Sequence, residues 1–143
     1  MRPGEPRFSV IIPTFDRHDL LPEALDSVLQ QTVDDWEAIV VDDGSPVRVS
    51  VPSDPRIHLI RLERNSGPAT ARNAGVAAAR GEVLCFCDDD DRFAARRLEA
   101  IAPHVDLAPI VVCWSRYMDQ DGEPRHRRLE GDVSEVILDD ATP

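Results

Sequence analysis

The sequence predicts an α/β fold in which helices cover both faces of a mainly parallel sheet. Two observations predict it: short β-branched apolar runs recur along the chain, and they alternate with segments whose apolar residues have helical spacing. Strands joined in this way form right-handed crossovers, which gives a three-layer α/β/α arrangement. With 143 residues the chain has room for one such domain, but hardly for two.

The first strand is predicted at residues 8–13, where a β-branched run ends at a proline after a disordered leader at residues 1–7. Leucine, alanine and valine at helical spacing predict the first helix over residues 20–29. Asp16 or Asp19 is available as its N-terminal cap.

Two further strands are predicted at residues 36–41 and 57–61. Small residues dominate residues 69–80, which is typical of a helix lying close against a sheet, and Gly81 is expected to end that helix. Residues 83–87 then form a fourth apolar strand that leads directly into four aspartates.

The last part of the chain is predicted with less pattern to use. Apolar spacing predicts a helix over residues 93–105, and a β-branched run predicts a fifth strand at residues 110–114. Asp121-Gly122 is a turn signal, and residues 133–138 are expected to form one more short helix.

Composition excludes several functions. The 27 acidic residues outnumber 16 basic ones, so a net charge of −11 disfavours nucleic acid as a partner. All basic residues apart from histidine are arginine. The absence of lysine excludes P-loop, Schiff-base and kinase chemistry, each of which needs a lysine amine.

The sequence also predicts where the protein is found. Its apolar runs are far shorter than the roughly 18 residues that span a bilayer, and no secretory signal precedes them. We therefore expect a cytoplasmic protein without a transmembrane segment. Cys85, Cys87 and Cys113 include no CxxC pair, so buried thiols are expected rather than a zinc site or a disulfide framework.

Carboxylates follow three of the predicted strands. They occur at Asp16, at Asp42-Asp43 and in the run Asp88–Asp91. Ligands of open α/β sheets bind outside the carboxyl ends of the strands, and converging carboxylates repel one another unless a hard divalent cation or protonation relieves them. A metal site is therefore predicted; the alternatives are a solvated acidic loop and a plain Asp-Gly turn.

Three α/β families do not fit these positions. A dinucleotide-binding fold needs a glycine-rich turn after the first strand, where this chain has Pro13-Thr14-Phe15-Asp16-Arg17. Receiver domains and aspartyl phosphatases place their acidic pair after the first strand, and receivers also need a lysine. Phe15 itself is either a core aromatic or, because polar residues follow it, a ring exposed at the cleft that could stack on a base.

In six ordered blocks the sequence resembles the inverting family 2 of glycosyltransferases, which has the nucleotide-sugar-binding GT-A fold. The blocks are residues 8–17, 25–32, 40–45, 65–75, 79–82 and 88–91. The resemblance implies that Pro13, Thr14 and Phe15 line a base pocket, with Phe15 stacking on the base. It also implies that Asp43 accepts the imide N–H of a uracil-like base and that Asp42 supports it.

The resemblance assigns the aspartate run to the rest of the nucleotide. Asp89 would reach the ribose, and Asp90 would ligate Mn²⁺ or Mg²⁺ bridging the diphosphate. Asp88 would be a second anchor for the metal or would support the first. Arg72 would face the nucleotide and help to neutralise its phosphates. The implied donor is a UDP- or dTDP-sugar.

The resemblance covers only the donor-binding part of a GT-A domain, so residues 8–143 are expected to be incomplete at the C-terminus. Carboxylates at Asp119, Asp121, Asp139 and Asp140 lie in no segment resembling the block that carries the catalytic base. No catalytic base is assigned, and the acceptor hydroxyl could belong to a glycan, a lipid or a small molecule. We expect negligible transfer by these residues alone.

Two alternatives to a transferase remain open at this point. One is a nucleotide-sugar-binding module that cannot catalyse transfer alone, and the other makes the acidic turns purely structural. Self-association through the C-terminal region is a further expectation, because apolar side chains there would lack a covering layer. They are Trp114, Tyr117, Val136, Ile137 and Leu138.

Overall fold

The computed structural model describes residues 5–113 in full and the backbone of two later strands. The chain divides into two compact units, Met1–Ala102 and Pro103–Pro143. In the second unit, residues 103–107 form turns, and the two short strands pair antiparallel. The predicted turn at Asp121-Gly122 and the predicted helix at residues 133–138 lie outside the described residues.

The first unit is built on a four-stranded parallel sheet with three helices. Its strands are β1 (Phe8–Thr14), β2 (Trp36–Asp42), β3 (Ile57–Arg61) and β4 (Val83–Phe86). Its helices are α1 (Leu21–Leu29), α2 (Pro68–Ala78) and α3 (Arg97–Ile101). The two strands of the second unit are β5 (Tyr117–Met118) and β6 (Pro124–Arg125). The prediction of an α/β fold with a parallel sheet is confirmed.

The strand order β3-β2-β1-β4 decides where a ligand can bind. The chain moves from β1 to β2 in one direction and from β3 to β4 in the other. With right-handed crossovers, α1 and α2 therefore cover opposite faces of the sheet. The order reverses between β1 and β4, which makes the carboxyl ends of these two strands the switch point at which open α/β sheets bind ligands.

Helix α2 lies very close to the sheet, as its small residues predict. A β-carbon at Gly75 would lie 2.5 Å from Cγ2 of Ile11 in β1 and 3.3 Å from Cγ2 of Val41 in β2. Ala71 of the same helix is buried in one cluster with Ile39 and Val41. A larger side chain on this face of α2 would therefore push the helix off the sheet.

The predicted N-terminal cap of α1 and the predicted end of α2 both differ from the structure. Leu20 is the N-cap of α1 and makes no capping hydrogen bond with its side chain, so neither Asp16 nor Asp19 is the cap. Asp16 instead has φ 54° and donates its N–H to Ser45 Oγ (2.9 Å), which places it in the loop after β1. Helix α2 ends at Ala78, three residues before Gly81.

Gly81 has a different function from the one the sequence predicts. A β-carbon at this position would lie 2.7 Å from the Ser9 backbone nitrogen and 2.8 Å from the Phe8 carbonyl carbon. Glycine is therefore required because the chain passes against β1, not because a helix ends here. Arg7, the last residue of the predicted leader, also joins this region, since its carbonyl accepts the N–H of Val83 (2.9 Å).

The third helix is predicted too long, and the fifth strand is predicted where the described residues form none. Helix α3 covers five residues where thirteen, 93–105, are predicted. Residues 110–113 form no strand, and Ile110 and Val112 are 78% and 81% exposed. Trp114, the last residue of that predicted strand, lies outside the described residues. Apolar character alone did not specify pairing here.

A buried carboxylate holds the amino end of the sheet together. Glu37 in β2 is 1% exposed and accepts hydrogen bonds from Ser9 Oγ (2.7 Å) and from the N–H and Nε of Arg80 (2.7 and 2.8 Å). Burial alone would raise the pKa of Glu37, but the hydrogen bonds from Arg80 and Ser9 hold it below its usual value. Gly81 N–H donates to Ser9 Oγ (2.8 Å), which closes the network.

We expect Glu37→Gln to destabilise the fold at neutral pH by about 1.5–3 kcal/mol, the range for hydrogen bonds to a charged group. The folded pKa of Glu37 lies below its ordinary value of 4.5, so the ionised group stabilises the fold above pH 4.5. That contribution is lost as the pH falls through the folded pKa.

Urea unfolding of both proteins at neutral pH and at steps below pH 4.5 measures this difference. The gap in unfolding free energy should narrow as the pH falls. A gap that is absent at neutral pH, or that widens in acid, would contradict the role given to Glu37.

Candidate functional site

The carboxyl ends of β1, β2 and β4 bring the predicted site residues to one edge of the sheet. Thr14 at the end of β1 is in register with Asp42 at the end of β2, and the N–H of Asp43 donates to the Thr14 carbonyl (2.9 Å). Pro13 is in register with Val41 one position earlier. After β4, Asp88 forms an ion pair with Arg72 of α2.

Asp42 fixes the turn that follows β2. Its side chain is fully buried; Oδ1 accepts the N–H of Ser45 (2.9 Å) and Oδ2 accepts Nη1 of Arg61 (2.6 Å). Arg61 also donates to the Ser45 carbonyl (2.6 Å). Gly44 lies in this turn, directly before Ser45, and has φ 75°. A β-carbon at Gly44 would lie 2.5 Å from the Arg64 carbonyl carbon. Only glycine fits this turn.

Asp43 connects β2 to the beginning of α2. It is 3% exposed, and its two carboxylate oxygens accept the N–H groups of Ser66 (2.9 Å) and Gly67 (2.8 Å). Helix α2 begins at the next residue, Pro68. Each carboxylate oxygen can accept a further hydrogen bond, so this structural role leaves capacity for a ligand N–H.

The aspartate run has arginine partners at two of its four members. Arg72 pairs with Asp88, and Nη1 of Arg17 lies 3.5 Å from Oδ2 of Asp90. Arg17 and Asp90 are each about half exposed, at 49% and 51%. The run is therefore partly neutralised by the protein itself, through contacts that a ligand can reach.

Asp89 and Asp91 carry the remaining negative charge. Burial raises the pKa of Asp89, and the charges of Asp90 and Asp88 raise it further. The hydrogen bond from Thr14 and the charge of Arg17 act in the opposite direction and lower it. Burial, Asp90 and Asp88 likewise raise the pKa of Asp91. Thr14 Oγ1 is buried near Asp89, but among the described residues it has no hydrogen-bond partner with good geometry. A positive charge at this edge would relieve both carboxylates.

The carboxylate oxygens of the aspartate run are of the kind that a hard divalent cation prefers as ligands. Within residues 5–113, however, no three His, Cys, Asp or Glu side chains stand together so that they could hold a metal ion. Asp88 and Asp90, the predicted ligands, are engaged by arginines. A cation here would need further ligands from outside the side chains, such as the oxygens of a diphosphate.

Phe15 is 40% exposed directly after β1, so it is not a core aromatic. Its ring is available at the edge where Thr14 and Asp43 meet. Arg17 and Ser45 in the same two loops were not assigned a role from sequence, although both stand within the matched blocks 8–17 and 40–45. The signal that could have found Arg17 is its position four residues after Pro13, on the loop that faces the aspartates.

The comparisons with known proteins decide the family. The sequence model described as Glycosyl transferase family 2 matches residues 9–140. The chain belongs to this family.

No helix in the described part of the chain is long and apolar enough to span a membrane.

Two glycosyltransferases of similar sequence are longer than this chain. Glycosyltransferase YwdF of Bacillus subtilis (strain 168) is 39% identical over 109 residues, which cover 73% of this chain and 40% of the relative. The putative teichuronic acid biosynthesis glycosyltransferase TuaG of the same strain is 33% identical over 145 residues, which cover 96% of this chain and 57% of TuaG. The chain thus spans about two fifths to three fifths of these relatives.

Two solved structures of similar fold contain a nucleotide or a nucleotide sugar. S. aureus TarS 1–349 in complex with UDP has a TM-score of 0.63 and 30% identity, over 71% of this chain and 32% of TarS. Mannosyltransferase PcManGT from Pyrobaculum calidifontis, in complex with GDP-Man and Mn²⁺, has a TM-score of 0.56 and 26% identity, over 72% and 32%. The fold of this family 2 chain is of the GT-A type.

The expected buried thiols are confirmed for Cys85 and Cys87, while Cys113 is half-buried. Burial raises the pKa of Cys87 to about 12, and the nearby charge of Asp91 adds to this effect. Cys87 therefore stays a thiol at neutral pH and is not a nucleophile.

A thiol reagent such as DTNB should distinguish the three cysteines. At pH 8 we expect one fast-reacting thiol in the native protein, Cys113, because thiolate character and access set the rate. Cys113→Ser should remove the fast phase, and unfolding in denaturant should make every remaining thiol reactive. A fast phase that survives in Cys113→Ser and disappears in Cys87→Ser would show the assignment to be wrong.

Proposed function

We propose that this chain binds a nucleoside diphosphate sugar at the carboxyl edge of its sheet, together with Mn²⁺ or Mg²⁺, and serves transfer of the sugar to an acceptor hydroxyl with inversion. The observation that carries the proposal is the convergence of Asp43, Arg72 and the aspartate run at the switch point of a family 2 sheet. The preferred donor is a UDP- or dTDP-sugar.

The base is bound between Phe15 and Asp43, with Pro13 and Thr14 lining the pocket. Phe15 offers a half-exposed ring for stacking, and Asp43 offers acceptor capacity beyond its two backbone partners. Uracil and thymine carry a ring N–H that can donate to Asp43, and guanine carries one too, whereas adenine does not. The complexes of TarS with UDP and of PcManGT with GDP-Man support such a pocket.

The diphosphate is bound on the other side of the switch point. Asp90 and Asp88 would hold the divalent cation, and Asp89, buried beside Thr14, would accept a ribose hydroxyl. When bound, the cation stabilises the negative charge of the departing diphosphate. Arg72, now paired with Asp88, is placed to donate to the phosphates once the cation neutralises that carboxylate.

Transfer with inversion is a single displacement at the anomeric carbon. The acceptor oxygen forms a bond to that carbon while the bond to the diphosphate oxygen breaks, and the hydroxyl proton passes to a base. None of the described residues is assigned as this base. Asp119, Asp121, Asp139 and Asp140 lie outside the described residues, so the acceptor and the base stay predictions.

Thermal unfolding tests the proposal directly. At about 100 times Kd, UDP with Mn²⁺ should stabilise the fold by about 2.7 kcal/mol through mass action. Asp90→Asn should lose this stabilisation because a cation ligand is removed. Asp26→Asn is the matched control, since it removes one exposed carboxylate from α1 at a distance in sequence from the aspartate run.

The same measurement is repeated with ADP and GDP in place of UDP, and two outcomes would contradict the proposal. Equal stabilisation of the wild type and Asp90→Asn would remove the cation role of Asp90. ADP binding more tightly than UDP and GDP would remove the role of Asp43 in base selection. Chelation of Mn²⁺ should reverse the shift in the wild type.

A further inference from the structure

Ser27 in α1 and Gln31, two residues after the end of α1, hold the segment that follows the aspartate run. The two residues are four positions apart, and both are buried, at 8% and 7% exposure. A serine and a glutamine are seldom buried without polar partners. Both have partners between residues 93 and 98.

Ser27 holds the first residue of this segment. Its Oγ accepts the N–H of Phe93 (3.0 Å) and donates to the Ala24 carbonyl within α1 (2.6 Å). Phe93 is two residues after Asp91, the last member of the aspartate run.

Gln31 holds the same segment at two later points with both ends of its amide. Its Nε2 donates to the carbonyls of Ala94 (2.8 Å) and Ser27 (3.0 Å). Its Oε1 accepts the N–H of Leu98 (3.0 Å). The side chain thus gives the Ala94 carbonyl a second partner besides the N–H of Arg97 and satisfies the N–H of Leu98, which lies in the first turn of α3.

The other end of the aspartate run is fixed by the sheet. β4 pairs with β1 up to Phe86, and the N–H of Cys87 donates to the Ile11 carbonyl (3.1 Å). Within the run, the N–H of Asp91 donates to the Asp88 carbonyl (3.0 Å). The run is therefore a short loop whose beginning is held by β1 and whose end is held by Ser27 and Gln31.

We propose that Ser27 and Gln31 are positioning residues, which set the places of Asp88, Asp89 and Asp90 for the cation and the diphosphate without contacting either. This inference rests on the proposed function. Carboxylates serve a cation only when their oxygens stand within a few tenths of an ångström of its coordination sphere. Releasing the end of the loop lets the three aspartates move relative to Arg72 and Thr14.

The test compares Gln31→Leu with Val28→Ala. The first variant removes the hydrogen bonds to Ala94, Leu98 and the Ser27 carbonyl while keeping a buried side chain of similar size. The second removes apolar contacts of a fully buried residue of α1, and it leaves those hydrogen bonds in place. Both should lower Tm, so the pair separates loss of positioning from loss of stability.

The readout is the affinity for UDP with and without Mn²⁺, measured by calorimetry well below the lowest Tm. Gln31→Leu should weaken Mn²⁺-dependent binding roughly 10–100-fold, the range for residues that orient metal ligands, and leave metal-free UDP binding unchanged. Val28→Ala should bind as the wild type does. If Gln31→Leu does not fold, Ser27→Ala removes the hydrogen bond to Phe93, together with the one to Ala24 within α1, and should show a smaller loss of the same kind.

Wild-type affinity in Gln31→Leu and Ser27→Ala, or an equal loss in Val28→Ala, would overturn the positioning role while leaving the proposed function intact. A wild type that binds UDP no better with Mn²⁺ than without it would overturn the proposed function, and the positioning role with it. The two failures are therefore distinguishable in one set of titrations.

Discussion

The need to neutralise carboxylates at the ends of buried strands shapes the whole first unit. A buried carboxylate is tolerated only with partners that offset its lost hydration. Asp42 has Arg61 and the Ser45 N–H, while Asp43 has the N–H groups of Ser66 and Gly67. These bonds determine where the β2 turn goes and where α2 begins, so the edge of the sheet is ordered by its charges.

Carboxylates are compensated to different degrees at the amino and carboxyl edges of the sheet. At the amino edge, Glu37 has enough partners in Ser9 and Arg80 that its pKa is lowered. At the carboxyl edge, Arg72 and Arg17 reach Asp88 and Asp90, but Asp89 and Asp91 keep raised pKa values. A carboxylate whose charge is fully compensated by protein groups has a structural role, whereas carboxylates that are incompletely compensated attract cations.

The four strands of the parallel sheet could be predicted from sequence because β-branched runs are local signals, and β1, β2 and β4 end within one residue of their predicted bounds. The grouping of Thr14, Asp43 and the aspartate run also followed, since parallel strands share one carboxyl edge. The non-helical conformation of residues 93–96 could not be predicted from apolar spacing, because the N–H of Phe93 and the carbonyl of Ala94 bond to the side chains of Ser27 and Gln31, which are distant in sequence. The backbone partners of Asp43 are equally non-local.

In the proposed complex, cation and nucleotide bind together where β1, β2 and β4 end. Paramagnetic broadening of backbone amide signals by substoichiometric Mn²⁺ in the presence of UDP tests this arrangement directly. We expect selective broadening at Thr14, Asp43 and Asp89, with sharp signals at Glu37 and Gly81 at the amino end of the sheet. Broadening centred away from the carboxyl edge, or spread evenly over the acidic surface, would contradict it.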